Sequence, residues 1–517
     1  MERSASGPTW AIATPHEEAT LAGAAAFEDG GNAVDAALRA ATVLAVAYPH
    51  MCGVGGDLFA LVLRPDGETL AVSSSGRAPG TADPADAGHV MPIRGPIPIT
   101  VPGAVAGWRA VHGTGAVLPW SGAFSRAIEL AIDGTPVTRS LAATLAGPDE
   151  PFGADPGLSA IFFADGIPSP AGAAVHQPAL GATLAGIAQA GPEVLYGGDI
   201  GRAYVSGLND AGSPISIEDL AAHRALVLPP LAAAFRGLHV SVVPPNSQGF
   251  VLLEILALLE RLRVDADPHG PEAGTIARVF ASSARDRDRH LGDPDHMTVH
   301  PSTFLDDGHL ASLADEIRLE RAAAPPPRPN GDTIALVTAD AKGFAVSLVQ
   351  SLFWGFGSGI CEPTTGIVAQ NRGACFTLEP EHPNAFAPGK LPAHTLMPVI
   401  VHDEHGLAAV AGSMGGYAQP QINAQTLLHL VGGAAPADAV AAPRWILERP
   451  EETSPARIVI EASVPAEARR SLESLPYPAT VVPDRSDELG HAQVIRARPD
   501  WFDAGSDPRS DGGSLAG

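Results

Sequence analysis

The deciding stretch of this sequence is Gly331-Asp-Thr-Ile-Ala-Leu-Val-Thr-Ala-Asp-Ala-Lys-Gly343. Its short apolar run from Ile334 to Ala339 predicts a buried strand. The residues before it, 321–332, are rich in proline, glycine and charge, and they predict an exposed linker. Thr333 therefore opens a strand directly after a segment that is accessible to cleavage.

A cut between Asp332 and Thr333 would place two reactive groups on one residue. The new N-terminus would carry a free α-amine beside the threonine hydroxyl, and an α-amine with a pKa of about 7.7 to 8 can accept the hydroxyl proton near neutral pH. This pair is a nucleophile with its own base. Threonine is also common at the start of a strand, so the segment by itself is compatible with either role.

The loop Asp340-Ala-Lys-Gly343 determines which residue lies opposite Thr333. Three residues ending in glycine predict a type I turn with a glycine bulge, which pairs Asp340 with Phe344. Counting back along both strands places Thr333 opposite Ser351. The Ser351 hydroxyl can then orient the threonine through a hydrogen bond, or it is an ordinary residue at a strand end.

Composition argues against several classes of partner. The chain has 517 residues and a mass of 52.9 kDa, which is ample for a large core. Its 57 acidic and 32 basic residues give a net charge of −25, which argues against nucleic acid or an anionic membrane as partner. The three cysteines show no CxxC spacing, the N-terminal residues lack the basic start and long apolar run of a secretory signal, and no apolar run is long enough to span a membrane. We therefore expect a soluble cytoplasmic protein.

Other segments predict elements around the hairpin. Residues 32–48 are apolar on nearly all faces and predict a buried helix. Residues 51–57 are glycine-rich but lack a phosphate-binding pattern, so they predict a tight turn before a strand at 58–63. Residues 286–300 contain aspartates and histidines without a recognised metal-ligand spacing, and they predict a charged helix and a turn. The polar, glycine-rich segment 503–517 is expected to be a disordered tail.

Two segments downstream of the hairpin carry polar groups suited to catalysis. Gly412-Ser-Met-Gly-Gly416 follows an apolar run, so the N–H groups of Gly415 and Gly416 can approach a substrate and form an oxyanion hole. The same glycines also fit an ordinary turn. His394 and Thr395 lie among apolar neighbours, and a buried polar pair must be hydrogen-bonded or functional.

Eight short motifs follow one another over nearly the whole chain. Each is weak alone, but in this order they resemble the γ-glutamyltransferase family of N-terminal-nucleophile hydrolases. The motifs are Gly30-Gly-Asn-Ala-Val-Asp-Ala-Ala37, Pro49-His-Met-Cys-Gly-Val-Gly-Gly-Asp57, Thr100-Val-Pro-Gly-Ala-Val-Ala-Gly107, Gly292-Asp-Pro294, Gly331-Asp-Thr333, Gly355-Phe-Gly-Ser-Gly359, Thr365-Gly-Ile367 and Gly412-Ser-Met-Gly-Gly416.

The resemblance implies a fold and a processing event. The fold is an α/β four-layer αββα sandwich. Autocatalytic cleavage between Asp332 and Thr333 would produce a large segment, 1–332, ending in the proline-rich processing linker, and a small segment, 333–517. The two cleavage fragments would remain associated.

The resemblance also implies roles for the residues around the cut. The family's nucleophilic threonine corresponds to Thr333 and its orienting threonine to Ser351. The oxyanion glycines correspond to Gly415 and Gly416. Neither a metal nor an organic cofactor is implied, and the substrate would be a small amide or γ-glutamyl compound.

The substrate clamp departs from the pattern of glutathione-cleaving members. Cys375 replaces the aspartate that holds the glutamyl amino group, and His394 and Thr395 replace the paired serines that hold the α-carboxylate. Phe353 replaces an asparagine. Arg77 corresponds to the carboxylate-binding arginine only with a shift of two residues.

The departures favour the acylase or amidohydrolase branch of the family. Arg372 and Arg77 are candidates for binding an acidic group of the substrate, although Arg372 can equally brace its loop. We therefore expect an autoprocessed amidohydrolase or acyltransferase whose substrate is not glutathione. Two alternatives remain open: a true γ-glutamyltransferase with an altered clamp, and an unprocessed, inactive binding protein.

Overall fold

The hairpin that contains Thr333 lies at the centre of the fold. We analysed a computed structural model that describes residues 1–147, 152–265, 267–319, 331–448 and 455–517. In the hairpin, Ile334 lies opposite Gln350, a register that brings Thr333 beside Ser351. The Asp340 N–H donates to the Phe344 carbonyl at 2.9 Å and closes the predicted loop. The predicted register is therefore confirmed, whereas the linker at 321–330 lies outside the described residues.

Helices form the two outer layers of the molecule. The described residues form helices α1 (Glu17–Glu28), α2 (Ala33–Ala47), α3 (Ala104–Gly113), α4 (Ser125–Asp133), α5 (Arg139–Leu145), α6 (Pro156–Phe162), α7 (Pro178–Ala190), α8 (Asp199–Asp210), α9 (Ile217–Ala222), α10 (Gly249–Leu262), α11 (Ala273–His290), α12 (Asp307–Arg318), α13 (Gln419–Val431), α14 (Pro436–Ala441) and α15 (Ala466–Glu473).

Strands form the middle of the molecule. They are β1 (Ser4–Gly7), β2 (Trp10–Thr14), β3 (Asp57–Leu63), β4 (Thr69–Ser74), β5 (Thr135–Pro136), β6 (Phe163–Ala164), β7 (Ile167–Pro168), β8 (Ala174–Val175), β9 (Leu226–Leu228), β10 (Leu231–Phe235), β11 (Leu238–Val242), β12 (Asp332–Asp340), β13 (Ala345–Phe353), β14 (Cys361–Glu362), β15 (Ile367–Val368), β16 (Val399–Asp403), β17 (Gly406–Ser413), β18 (Trp445–Glu448), β19 (Arg457–Glu461), β20 (Ala479–Val482), β21 (Ala492–Arg498), β22 (Trp501–Ser506) and β23 (Gly513–Ala516).

Two antiparallel sheets of seven strands contain most of these strands. The first sheet has the order β23-β2-β12-β13-β3-β4-β9, and the second has the order β1-β22-β21-β17-β16-β11-β10. In the first sheet, β12 pairs with β2 on one side and with β13 on the other. The strand that starts at Thr333 is therefore an inner strand, paired along both edges.

Three apolar cores define the layers. One core lies between the two sheets and includes Phe59, Val337 and Ile400. A second core joins the outer face of the first sheet to α1, α2, α3, α4 and α7. A third joins the second sheet to α10, α11, α12, α13 and α15. Helix, sheet, sheet and helix follow in that order, so the predicted four-layer αββα sandwich is confirmed.

Helix α2 is the predicted buried helix and holds the hairpin loop in place. Asn32 caps it, because its side chain accepts hydrogen bonds from the second and third helical N–H groups while the Asp35 carboxylate binds the Asn32 N–H. The Asp340 carboxylate accepts the Ala33 N–H at 2.7 Å. The start of α2 and the end of β12 are thus tied together across the layer boundary.

The prediction that 503–517 forms a disordered tail is wrong. Strand β22 pairs with β21 and β1, and β23 pairs with β2, so the segment is part of both sheets. Its polar residues are satisfied inside the protein, because Asp507 binds Arg444 at 2.9 Å and Arg509 at 3.0 Å. Glycine at 512 permits close packing, since a β-carbon there would lie 1.9 Å from the Thr14 carbonyl oxygen.

Two further sequence observations concern redox chemistry and membranes. All three cysteines are buried and none forms a disulfide. Across the described ranges, no helix is both long and apolar enough to cross a bilayer.

Candidate active site

Thr333 is fully buried at the start of β12, against the peptide bond that precedes it. Its Oγ1 lies 2.6 Å from the carbonyl oxygen of Asp332 and 3.1 Å from Ser351 Oγ. The ladder between β12 and β13 is irregular here, since Asp332 pairs with Phe353 while Ile334 pairs with Gln350. The irregularity sets the threonine hydroxyl beside the candidate scissile carbonyl rather than in a regular ladder position.

Ser351 connects the threonine to its surroundings. Its hydroxyl donates to the Asp332 carbonyl oxygen at 2.6 Å and accepts the Phe353 N–H at 2.7 Å. Arg372 Nη2 donates to Ser351 Oγ at 3.1 Å. A hydroxyl that receives donors of this kind is polarised as a donor itself, so Ser351 draws electron density from the carbonyl.

The Gly415–Gly416 turn lies against the same peptide segment. Gly415 has φ 144° and Gly416 has φ 50°, backbone conformations that favour glycine. A β-carbon on Gly416 would lie 2.3 Å from the Gly331 nitrogen. Glycine therefore permits the close approach that an oxyanion hole requires.

Two side chains that the sequence analysis missed hold this turn. Gln248 donates from Nε2 to the Gly416 carbonyl at 3.0 Å and to the Thr395 carbonyl at 2.7 Å. Arg287 donates to Gln248 Oε1 at 3.2 Å and to the Tyr417 carbonyl at 3.0 Å. These bonds hold the Gly416 and Tyr417 carbonyl groups and so fix the backbone next to Gly415 and Gly416. No spacing pattern in the sequence links these residues.

Arg372 contacts Ser351, the residue beside Thr333. It is fully buried, and it donates to Ser351 Oγ and to Thr395 Oγ1, the latter at 2.9 Å. Its Cζ lies 4.3 Å from the centre of the Phe353 ring, a cation–π contact. Within the described residues Arg372 forms no ion pair, and its Nε has no hydrogen-bond partner. Asp57 interacts with this guanidinium electrostatically without contacting it. A buried guanidinium that no carboxylate contacts directly is well placed to receive an anion.

Cys375 and His394 complete the surroundings of Arg372. Cys375 Sγ accepts from Arg372 Nη1 at 3.8 Å. His394 points the other way and donates from Nε2 to Asp57 Oδ2 at 3.1 Å. Burial and the Arg372 charge lower the pKa of His394 well below its usual value, so its ring is neutral.

Asp57 is a buried acid that the sequence analysis did not single out. Its Oδ1 accepts from the Gly76 N–H at 3.0 Å and from Gln370 Nε2 at 2.9 Å. Burial raises the pKa of Asp57 to about 7, and these donors and the Arg372 charge oppose the rise. The available signal was an acidic residue between a glycine-rich turn and an apolar strand.

Arg77 lies apart from this group. Its side chain is 48% exposed and pairs with Asp293 at 3.0 Å, and it also binds the Gly389 carbonyl at 2.9 Å. It lines a cavity of about 340 Å³ together with His223 and Arg224, and Thr333, Ser351 and Arg372 do not contribute to that lining.

The fold and the site together define a class. A four-layer αββα sandwich with a threonine at the start of an inner strand, facing the preceding carbonyl, is the architecture of N-terminal-nucleophile hydrolases. The chain belongs to the γ-glutamyltranspeptidase family, because the family model matches residues 19–517.

Two relatives and one solved structure match almost end to end. The chain is 37% identical over 515 residues to an oxamate amidohydrolase proenzyme of Klebsiella pneumoniae, covering 96% of each chain. It is 32% identical to the glutathione hydrolase-like YwrD proenzyme of Bacillus subtilis, covering 100% of both. The fold matches a cephalosporin acylase from Bacillus halodurans with a TM-score of 0.91 and 30% identity, covering 100% of this chain and 97% of that one. The chain is therefore an enzyme that acts on amide bonds.

Proposed function

We propose that this chain is an autoprocessing amidohydrolase that uses Thr333 to cleave a short amide bearing a carboxylate next to the scissile carbonyl. The hydrolytic activity would follow self-cleavage between Asp332 and Thr333. Oxamate, the monoamide of the shortest dicarboxylic acid, is the substrate in the name of the 37% identical relative.

The position of Arg372 carries this proposal. Its guanidinium is 3.1 Å from Ser351 Oγ, which is itself 3.1 Å from Thr333 Oγ1. A substrate carboxylate bound to Arg372 would therefore lie near Thr333. This position suits a substrate in which few bonds separate the carboxylate from the attacked carbonyl. A γ-glutamyl group places three carbons between its amide carbonyl carbon and its α-carboxylate carbon, whereas oxamate joins the two carbonyl carbons directly. Arg372 thus favours the short acyl group.

The contacts of Thr333 in the uncut chain support the self-cleavage step. Thr333 Oγ1 would attack the Asp332 carbonyl carbon, forming an ester and freeing the Thr333 nitrogen. Ser351 would stabilise the developing negative charge on the oxygen that it already contacts at 2.6 Å. Water would then hydrolyse the ester, releasing the Asp332 carboxylate and leaving Thr333 with a free hydroxyl and a free α-amine.

Turnover would reuse the same groups on an external amide. The α-amine of Thr333 takes the hydroxyl proton as Oγ1 attacks the substrate carbonyl. The N–H groups of Gly415 and Gly416 hold the oxyanion, and the proton passes to the leaving nitrogen. Water hydrolyses the acyl-enzyme, and the acid product departs from Arg372. Another amine in place of water would give acyl transfer.

The pairing of strands supports lasting association of the two fragments. In the first sheet, β2 and β3 of the large segment pair with β12 and β13 of the small segment. In the second sheet, β1 pairs with β22 and β11 with β16. Separation would break these ladders and open the core between the sheets, so the cut chain would remain one body.

A series of monoamides tests the proposal. We expect the processed enzyme to release ammonia from oxamate, and kcat/KM to fall by at least about 10-fold for each methylene inserted between the carboxylate and the amide carbonyl. A γ-glutamyl anilide is expected to be a poor substrate. Preference for the γ-glutamyl anilide would support the γ-glutamyltransferase alternative. A chain that stays uncut and hydrolyses none of these amides would support the inactive binding protein.

Ser351→Ala is expected to slow self-cleavage by roughly 10²-fold, because the Asp332 carbonyl loses its hydroxyl donor. Denaturing electrophoresis at successive times after purification measures the rate. Ser351→Thr keeps the hydroxyl and is the matched control, which should cleave at nearly the normal rate. Equal rates for the alanine and threonine variants would show that the hydroxyl has no such role.

Arg287→Met is expected to lower kcat for the amide by about 10-fold while the chain still folds, because the carbonyl of Tyr417 and Gln248 lose their donor. The matched control is Arg285→Met on the same helix, since Arg285 pairs with Glu316 at 2.9 Å. Steady-state kinetics of the two processed variants give the comparison. The same kcat for both would mean that the turn needs no support from Arg287.

A further inference from the structure

A cluster of three ligating side chains, two of them buried and one partly exposed, lies in the helical layer behind the second sheet. Glu254 on α10, Asp286 on α11 and His309 on α12 converge there, and their ligand atoms all lie within 4.8 Å of one another. His309 Nε2 is 3.0 Å from Glu254 Oε1 and 2.8 Å from Asp286 Oδ2. The active site described above uses none of these three residues.

The two carboxylates of this cluster have too few donors. The side chain of Glu254 is fully buried and that of Asp286 is 7% exposed. Among the residues that the structure describes, none donates a hydrogen bond to Glu254 Oε2 or Asp286 Oδ2, because the N–H of His309 Nε2 is directed at Glu254 Oε1, although Asp286 Oδ2 also lies 2.8 Å from that nitrogen. Buried carboxylate oxygens without donors are costly, and a cation is the partner that would satisfy both together.

The donor set identifies the kind of cation. An imidazole nitrogen with two carboxylates suits divalent transition metals such as Zn²⁺, whereas Mg²⁺ and Ca²⁺ prefer oxygen alone. Two ligand atoms that each lie about 2.0 to 2.1 Å from one metal ion are about 3 Å apart. The distances from His309 Nε2 to Glu254 Oε1 and to Asp286 Oδ2, 3.0 Å and 2.8 Å, agree with this spacing. Because these donors approach so closely, a small shift of each would admit an ion.

Aromatic rings pack beside the cluster, whose His309 side chain remains 27% exposed. Phe304 packs beside His309 at 5.8 Å between ring centres and stacks on Phe250 at 4.5 Å. His290 lies four residues after Asp286 on the same face of α11, which makes it a candidate fourth ligand. Its ring centre is 5.5 Å from that of Phe304. Spacing along the sequence could not reveal this set, because its members come from three helices.

We propose that Glu254, Asp286 and His309 form a binding site for one divalent transition-metal ion, which ties α10, α11 and α12 together. The site is separate from the amide chemistry. Asp286 directly precedes Arg287, so the ion would also fix the last turn of α11 beside the glycine turn.

Metal titration of the untagged full chain tests the site. After treatment with a chelator and its removal, we expect the chain to bind one equivalent of Co²⁺ with visible d–d absorption, to exchange it for Zn²⁺, and to gain thermal stability with Zn²⁺. Mg²⁺ at the same concentration should have no such effect. Absence of stoichiometric Co²⁺ or Zn²⁺ binding would overturn the proposal.

Variants locate the bound ion. Glu254→Gln and His309→Gln should each lower Zn²⁺ affinity by at least about 10-fold, with circular dichroism confirming the fold. The matched control is His429→Gln, which removes a ligand from the other convergent group, Asp267, His269 and His429. It should retain one equivalent of Zn²⁺. Loss of binding in His429→Gln would assign the ion to that group and overturn the proposal, even if the Glu254 and His309 variants do not fold.

Discussion

Thr333→Ala is expected to remain a single chain and to lose amide hydrolysis by at least about 10⁴-fold. Alanine has no oxygen to attack the Asp332 carbonyl, so the α-amine is never released, and it offers no nucleophile to an external amide. Intact-mass measurement and denaturing electrophoresis follow the cut, and ammonia release follows turnover.

Thr333→Ser is the matched control for this prediction. Serine keeps the hydroxyl but loses the methyl group that limits χ1, so self-cleavage should proceed more slowly and yield an active enzyme. A fragment that begins at residue 333 in the alanine variant would mean that another group cuts the chain. Hydrolysis by an uncut alanine variant would place the nucleophile elsewhere.

Arg372→Gln is expected to lower kcat/KM for oxamate by roughly 10²- to 10³-fold, which corresponds to about 3 to 4 kcal/mol for a buried charged contact. Glutamine can still donate a hydrogen bond but provides no charge for the carboxylate. Self-cleavage should continue at a lower rate, because Ser351 keeps its hydroxyl for the Asp332 carbonyl but loses the Arg372 donor that polarises it. Steady-state kinetics with oxamate and with an uncharged acyl amide separate the two effects.

Arg77→Gln provides the comparison for Arg372→Gln. Arg77 pairs with Asp293 at the separate cavity, so its loss should change kcat/KM for oxamate far less. If the Arg77 variant loses more oxamate activity than the Arg372 variant, the anion site lies at the cavity and the proposed substrate geometry is wrong. An Arg372 variant with full activity on oxamate would contradict it as well.

Local sequence was sufficient for the hairpin and its neighbours. The three-residue loop closed by Gly343 set the register, which put Thr333 and Ser351 within 3.1 Å. Helix α2, with its run of small apolar residues, and the strand after Asp57 could be predicted equally well, because each signal lies within a few residues of the element that it predicts.

Contacts between distant segments could not be predicted in the same way. Arg372 forms hydrogen bonds with Ser351 and Thr395, and Gln248 forms one with Gly416, which lies 168 positions away. No spacing pattern in the sequence predicts these contacts. The C-terminal strands were missed for a related reason. A polar residue such as Asp507 predicts exposure when its partners are unknown. In the fold Asp507 forms ion pairs with the buried residues Arg444 and Arg509, which local sequence does not reveal.

Both sheets pair strands that precede Thr333 with strands that follow it, so self-cleavage at Thr333 would change how this protein can refold. An uncut chain forms the ladders between β2 and β12 and between β11 and β16 as an intramolecular process. Once the chain is cut, the same native state can be regained from denaturant only by a bimolecular encounter of two fragments. Refolding yield should then depend on protein concentration for the mature enzyme and not for Thr333→Ala. Self-cleavage would thus replace the reversible folding of one chain by kinetic stability, in which the native state persists mainly because it unfolds slowly.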